Sequence, residues 1–253
     1  MAARPVEVAA LDTRVADARV SASAKGSIQA LNAFGIAVNE SRAVLSRSFG
    51  DLDAIMSSGS KLMQAYHPAV RSGLRTPQNN GWDDIRETND SRINPHFYAE
   101  LHYAALSLND EGIPHYGDYA ISLETSFISD RTTVFEENPA LFNIKHPMSK
   151  DRMVPLGYRA TWDMRSKLAI AKLQFKIVPT TTADSFPDIL LEKTVNPSGD
   201  SDFIEVHIYG KLHARTFQHV RGPAPDNELD ALLWQRVKGL LEGLGATWQE
   251  VPR

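Results

Sequence analysis

Glutamate and histidine alternate with aliphatic residues in one short stretch near the end of the chain. The aliphatic positions are Ile204, Val206 and Ile208. Alternation with a period of two is typical of a β-strand that rests one face on the core. The opposite face then presents a carboxylate, Glu205, and an imidazole, His207, between the aromatic residues Phe203 and Tyr209. Two ionisable groups on one strand face indicate a candidate site; the alternative is that both simply face water on an antiparallel sheet.

Composition limits the classes of protein to consider. The chain has 253 residues, of which 42% are hydrophobic, and a formal charge of -4 at pH 7. This length suits one large domain or one domain with an appendage. The charge provides no overall basic field that would attract a nucleic acid. Cysteine is absent, which excludes disulfides, a cysteine nucleophile and thiolate metal sites.

Sequence motifs of several common enzyme classes are also absent. The chain lacks the Walker A, dinucleotide-binding, zincin and nucleophile-elbow patterns. Its eight histidines are not spaced with carboxylates as metal ligands usually are, so we predict no metal site. Apolar runs are too short for a membrane span, and the first residues lack the apolar core of a secretory signal, so we expect synthesis in the cytoplasm and no membrane span.

Three parts of different composition follow one another. Residues 1–66 carry apolar residues at helical spacing, which predicts a helical N-terminal region. Residues 67–93 contain closely spaced turn residues such as Pro68 and Gly73, which are typical of a linker or an active-site loop. Residues 94–253 mix helical and strand patterns without regular alternation. We therefore predict an α+β fold, with the last part as the candidate catalytic domain.

Local patterns predict the individual elements. In the first part a helix is expected over 28–45, and another after Asp51, which is a candidate N-cap. In the last part the expected helices are 94–108, 158–172, 216–220 and 228–244, and the expected strands are 119–123, 132–134, 173–178, 188–193, 204–209 and 247–251.

Three stretches of the last part occur in an order found in a known group of proteins. They are residues 116–123, beginning Tyr-Gly-Asp, residues 129–134, which contain Arg-Thr-Thr, and residues 204–210, which contain Glu-Val-His-Ile-Tyr-Gly. Together they resemble the C-terminal toxin domains of bacterial polymorphic toxins and secreted effectors related to ADP-ribosyltransferases. The resemblance covers roughly residues 94–251 and none of the N-terminal third. It implies a mixed β core with flanking helices.

The resemblance also implies an activity, in which NAD is a co-substrate and ADP-ribose is transferred to a macromolecular acceptor. Breaking the bond to nicotinamide passes through an oxocarbenium-like transition state, which a carboxylate stabilises. Glu205 is the candidate for this role, and His207 is the second catalytic candidate. Arginine-directed members resemble one another in a Glu-x-Glu pair, and the partner position here is either Phe203 or His207. This departure makes arginine a less favoured acceptor.

The remaining candidate residues would contact NAD. By resemblance, Arg131 would bind a phosphate, Thr132 and Thr133 would line the nicotinamide pocket, and Tyr116 would stack on the ring. His102 is the candidate for the early residue that holds the ribose, with His115 and His67 as alternatives. Each has a simpler interpretation: an ion pair for Arg131, ordinary strand residues for the threonines, a core-covering aromatic for Tyr116, and a surface or satisfied core histidine for His102.

Three functional hypotheses follow from these patterns. The first is an ADP-ribosyltransferase-like bacterial toxin or virulence effector, made in the cytoplasm, delivered into a target cell, and accompanied by an immunity protein or chaperone. The second is a nucleic-acid-directed toxin, for which a basic stretch would track phosphates: Arg152, Arg159, Arg165, Lys167, Lys172 and Lys176. The third is a binding effector that has kept the fold and lost turnover.

Overall fold

The structure is a computed structural model that describes residues 4–72, 82–147, 154–192 and 202–252. Its strands are β1 (Arg42–Arg47), β2 (Leu62–Met63), β3 (Leu101–Ser107), β4 (Tyr119–Leu123), β5 (Thr132–Phe135), β6 (Arg159–Thr161), β7 (Glu205–Tyr209), β8 (Leu212–His213), β9 (Phe217–Pro223) and β10 (Thr247–Val251). Its helices are α1 (Pro5–Ala24), α2 (Ile28–Val38), α3 (Phe49–Ser57), α4 (Tyr66–Arg71), α5 (Trp82–Ile93), α6 (Pro139–Lys145), α7 (Arg165–Leu173), α8 (Phe186–Leu190) and α9 (Glu228–Gly243).

One mixed sheet organises the described part of the chain. Its eight strands follow the order β10-β9-β4-β1-β3-β7-β5-β6, and a separate pair joins β2 to β8. Neighbouring strands of the large sheet are antiparallel except β9 and β10, which are parallel. Helices do not alternate regularly with strands, so the α+β prediction is confirmed.

The two faces of the sheet differ in chemistry. On one face Val206 and Ile208 join the main hydrophobic core, to which α1, α2 and α7 contribute Leu11, Leu31 and Leu168. On the other face Arg86 of α5 pairs with Glu205 of β7 and lies over the ring of Tyr103 of β3. The polar face therefore carries the candidate site, and the apolar face holds it in place.

Helix ends follow local chemistry. The Ser48 side chain accepts a hydrogen bond from the Asp51 amide and caps α3, so the expectation that Asp51 is the cap is wrong by one turn. Asn227 caps α9 in the same way through the Asp230 amide. The predicted strands 119–123 and 247–251 are confirmed, and so is the last helix to within one residue.

Several expected helices are strands in the structure. The second half of the expected helix 28–45 is β1, which lies in the middle of the sheet between β3 and β4, so residues 1–66 are not purely helical. The expected helix 94–108 contains β3, and the expected helix 216–220 lies in β9. In β1 and β3 most residues are buried, because a central strand is covered on both faces and loses its alternation. A continuous apolar run of this kind does not distinguish a strand from a helix.

Other expectations fail near the ends of elements. The region 67–93 is not only a linker: it holds most of α4 and all of α5, while residues 73–81 lie outside the described residues. The expected helix 158–172 divides into β6 and α7, and a 3-10 turn replaces the expected strand 173–178. Residues 186–190 form α8, after which Leu191 makes a single bridge to Phe203.

Candidate active site

Strand β7 places Glu205 and His207 on the face opposite the main core, as the alternation predicts. The intervening residues Val206 and Ile208 are fully buried in that core. Glu205 is only 2% exposed and His207 is 0% exposed, so neither faces water. The polar-out interpretation is therefore wrong for this strand, because α5 covers its polar face.

A cleft opens beside Glu205. The cavity within it has a volume of about 70 Å³. Its wall combines one carboxylate, two guanidinium groups, three phenol rings and several apolar side chains. The lining residues that matter here are Arg47, Tyr66, Arg86, Tyr103, Tyr116 and Glu205. A concave site with convergent polar groups in an aromatic wall is the usual form of a small-molecule site.

Arg86 of α5 anchors one oxygen of the Glu205 carboxyl group. Its Nη2 donates to Glu205 Oε1 at 2.9 Å, and both side chains are buried. The second oxygen, Oε2, is buried and has no hydrogen-bond partner in the described part of the chain. Glu205 thus has one fixed oxygen and one buried oxygen that no described protein group satisfies.

Burial dominates the ionisation of Glu205. Removal from water raises the pKa of this carboxyl group to about 7, against the opposing effect of the Arg86 charge, and the Asp90 charge raises it further. The group therefore changes between acid and carboxylate close to neutral pH. A carboxyl group with such a pKa, in a cleft, is characteristic of functional sites, although structural networks also produce it.

His207 is a neutral imidazole beneath the same helix. The Asn94 amide Nδ2 lies 3.2 Å from His207 Nδ1, and His207 Nε2 is buried without a hydrogen-bond partner among the described residues. Burial, followed by the charge of Arg159, lowers the pKa of His207 to about 3. The ring packs against Phe135 and Tyr103. His207 is therefore a packed neutral group, and a role as a proton carrier is not supported by these surroundings.

The remaining candidates separate into two groups. Tyr116 lines the same cleft as Glu205, and Thr133 pairs with His207 across β5 and β7. His102 and Thr132 pair with Ile208, which faces the main core. Burial, together with the charges of Arg47 and Arg131, lowers the pKa of His102 to about 4.

Arg131 lies at the end of β7, away from the cleft lining. Its Nη1 donates to the carbonyl of Tyr209 at 2.5 Å and its Nε donates to the carbonyl of Phe127. The structure therefore brings Tyr116 to Glu205 and Thr133 to His207. It does not bring Arg131, Thr132 or His102 to the carboxyl group.

A buried polar network completes the site, and its members come from the region interpreted as a linker. Asp90 Oδ2 lies 3.0 Å from His67 Nε2 and 3.3 Å from Arg86 Nε. The guanidinium of Arg86 lies 4.7 Å from the ring centre of Tyr103. Sequence analysis named His67 as an alternative and missed Arg86, Asp90 and Tyr103. The available signal was the run 82–93, which is free of glycine and proline and carries Arg86 and Asp90 four residues apart.

The basic stretch does not form an open surface for phosphates. Arg165 and Lys172 are buried, and Lys172 pairs with Asp202 at 2.5 Å. Arg159 donates to the Ile93 carbonyl, Lys167 pairs with Asp12, and Lys176 pairs with Glu192 and Asp202. Arg152 lies outside the described residues. These five basic side chains are therefore engaged within the fold.

No helix in the described ranges combines the length and apolarity needed to cross a bilayer. Among the same residues, no group of three histidine or acidic side chains is arranged to hold a metal ion.

Comparison with known proteins adds no family to this picture. No protein-family model matches the chain, and a search of curated proteins finds no significant sequence match. The relation to ADP-ribosyltransferases accordingly stays a prediction from three motifs, and the arguments about function rest on the cleft around Glu205.

Proposed function

We propose that the chain is a NAD-dependent mono-ADP-ribosyltransferase-like toxin or effector that uses Glu205 to cleave the bond between ribose and nicotinamide. The observation that carries the proposal is the half-anchored carboxyl group: Oε1 is held by Arg86, Oε2 has no partner among the described residues, and the side chain lines a partly open cleft. A buried carboxylate beside the ribose stabilises the positive charge that develops as the bond breaks.

The chemistry assigns a defined task to each group. Nicotinamide leaves with the electron pair of the glycosidic bond, and positive charge spreads over C1′ and the ring oxygen of the ribose. Ionised Glu205 stabilises this charge; the acceptor then attacks C1′ with an electron pair, and the proton that it loses passes to water. Tyr103 and Tyr116 supply aromatic surface in the cleft, and Arg47 supplies a cation suited to a phosphate.

The surroundings of Glu205 also bear on the acceptor. The two positions that flank it on the same strand face hold Phe203, which packs in an apolar cluster, and neutral His207. Neither supplies a second carboxylate. Acceptors other than arginine are therefore favoured in this proposal. Delivery into a target cell, with an immunity protein or chaperone, is supported by the sequence resemblance.

A binding effector without turnover is the second candidate, because one observation favours it. Arg86 already neutralises part of the charge that Glu205 would offer to a transition state. A protein that binds NAD, or a partner, without releasing nicotinamide would be consistent with a closed Arg86–Glu205 pair. The nucleic-acid hypothesis loses its motivation, because its described basic residues are engaged within the fold.

The test compares three proteins: wild type, Glu205→Gln and the control Glu250→Gln. Glu250 also lies on a strand and pairs with a cation, Lys238, but it is exposed and belongs to β10 at the far edge of the sheet. NAD binding is measured by calorimetry, and nicotinamide release is measured with cell lysate as the source of acceptor. Transfer is supported if release occurs with wild type and Glu250→Gln and is lost with Glu205→Gln.

Two other outcomes reject the proposed chemistry. Release that survives Glu205→Gln removes the assigned role of the carboxylate. NAD binding with no release by any of the three proteins supports the binding effector instead.

A further inference from the structure

Asp90 is a shared acceptor at the centre of the buried network. Its side chain is 0% exposed, and one oxygen, Oδ2, accepts from His67 Nε2 at 3.0 Å and lies 3.3 Å from Arg86 Nε. A buried carboxylate costs several kcal/mol unless it is paired and hydrogen-bonded. Both donors are therefore needed to keep Asp90 in place, and Asp90 in turn restrains both donors.

Arg86 connects this acceptor to the cleft. Its Nε edge meets Asp90 and its Nη2 meets Glu205 Oε1 at 2.9 Å. Its guanidinium carbon lies 4.7 Å from the ring centre of Tyr103 and 5.9 Å from that of Tyr66. A planar group held at two edges and at its face has little rotational freedom, so the position of Arg86 depends on its contact with Asp90.

His67 fixes the other side of Asp90. It is buried, and its ring makes edge contacts with the rings of Tyr66, Tyr98 and Tyr103 at centre distances of 5.1 to 6.2 Å. This packing determines which way the imidazole points. Helix α4 is thereby linked through His67 and Asp90 to Arg86 on α5.

We propose that Asp90 and His67 are positioning residues that hold Arg86 against one oxygen of Glu205 and leave the other oxygen to the substrate. The role assigned to substrate rests on the proposed function, whereas the restraint on Arg86 rests on the contacts alone. Without this restraint Arg86 would move away from Glu205, and the carboxyl group would lose the nearest charge that favours its ionised form.

Several charged or titratable groups face Glu205 and define the electrostatic setting. They are Arg86 and Asp90 from α5, Tyr66 from α4, Tyr103 from β3, Tyr116 from the 3-10 turn 114–116, and Arg47 from the end of β1. His67 joins this network through Asp90, and His207 lies two residues along β7. Arg86 favours ionisation of Glu205 directly, and the negative charge of Asp90 opposes it. A direct effect of Asp90 and an effect through Arg86 therefore change the titration of Glu205 in opposite directions.

That opposition provides the test. Protein labelled with carboxyl ¹³C in glutamate is titrated by NMR, and the Glu205 signal is assigned by its loss in Glu205→Gln. Asp90→Asn is made in the wild-type protein and in Arg86→Met. With Arg86 absent, Asp90→Asn should lower the titration midpoint by removing a like charge; with Arg86 present, the decrease should be smaller or reversed, because Arg86 is released. Equal decreases in the two backgrounds, or a larger one with Arg86 present, would overturn the proposal.

A second pair of variants keeps the test independent of Arg86→Met folding. His67→Phe retains a ring for packing and removes the donor, whereas His67→Gln supplies an amide donor. The Glu205 midpoint should rise in His67→Phe and return toward the wild-type value in His67→Gln. Wild-type titration in both variants would reject the role of His67.

Nicotinamide release by the same proteins separates this proposal from the proposed function. If the titrations behave as expected and wild type releases no nicotinamide, the positioning network stands and the transferase activity fails. If release depends on Glu205 and the effects of Asp90→Asn are equal in the two backgrounds, only the positioning proposal fails.

Discussion

Ionisation of Glu205 should lower the free energy of unfolding as pH rises through neutrality. Burial raises the pKa of this group from its ordinary value of 4.5 to about 7, so the folded protein binds the proton more tightly than the unfolded chain. Stability that depends on the proton is complete at acidic pH and is lost as the pH rises through about 7. The residue is 2% exposed, so solvent screening does not reduce the effect appreciably.

The magnitude follows from the two pKa values. The interval between 4.5 and about 7, at about 1.4 kcal/mol for each pH unit, corresponds to about 3 kcal/mol. Glu205→Gln removes the titration and retains a side chain of similar size. We therefore expect the variant to gain about 3 kcal/mol relative to wild type between about pH 4.5 and about pH 8.

Two buried histidines make this comparison necessary. The pKa of His102 is lowered to about 4 and that of His207 to about 3, so both stay neutral in the folded protein. Their contribution to stability is present above the unfolded pKa of about 6.5 and is lost as the pH falls. In the wild type alone, the free energy of unfolding below that pH would combine a decrease from the histidines with an increase from Glu205. The two histidines are common to wild type and variant, so the difference isolates Glu205.

The assay is urea unfolding at fixed temperature, followed by tryptophan fluorescence, at a series of pH values. The control is Glu250→Gln. In the wild type, Glu250 is exposed, and its pKa lies below the ordinary value because Lys238 and Trp234 donate hydrogen bonds to it. This control should gain nothing on wild type as pH rises. The key quantity is the difference in free energy of unfolding between Glu205→Gln and wild type. If it stays constant with pH or changes in the other direction, burial does not outweigh Arg86 in setting the pKa of Glu205.

Other perturbations test separate parts of the fold and site. Gly117→Ala should destabilise the protein by about 2 kcal/mol or more, measured by urea unfolding, since φ is +136° and a new Cβ would lie 2.2 Å from the Arg47 carbonyl carbon; an unchanged midpoint contradicts this. Ile208→Ala should cost about 2–5 kcal/mol in the same assay because the side chain is fully buried, and a loss below about 1 kcal/mol would show that the site is not close-packed. Asn227→Ala should cost about 1 kcal/mol through loss of the α9 cap, with Asn227→Ser close to wild type, and equal losses in the two variants count against capping. Nicotinamide release should increase as pH rises through about 7, because Glu205 acts as the carboxylate; release that falls over this range is inconsistent with that role.

Features that depend only on neighbouring residues could be predicted from the sequence. Alternation over 204–208 correctly separated the core face of β7 from the face that carries Glu205 and His207. The sequence pattern predicted the last helix over 228–244, and β10 was predicted with its observed limits. Local periodicity was sufficient because these elements have one buried face and one exposed or polar face.

The neighbours of Glu205 come from segments far away in the sequence, and packing brings them together. Arg86 is 119 residues away in sequence, and it reaches the carboxyl group because α5 packs over β7. The strands β1 and β3 were also decided by their place in the middle of the sheet, where burial on both faces removes the alternation that marks a strand. Packing produces both the ion pairs between distant segments and the burial of strands on two faces. The residues next to Glu205 in sequence therefore could not predict its raised pKa.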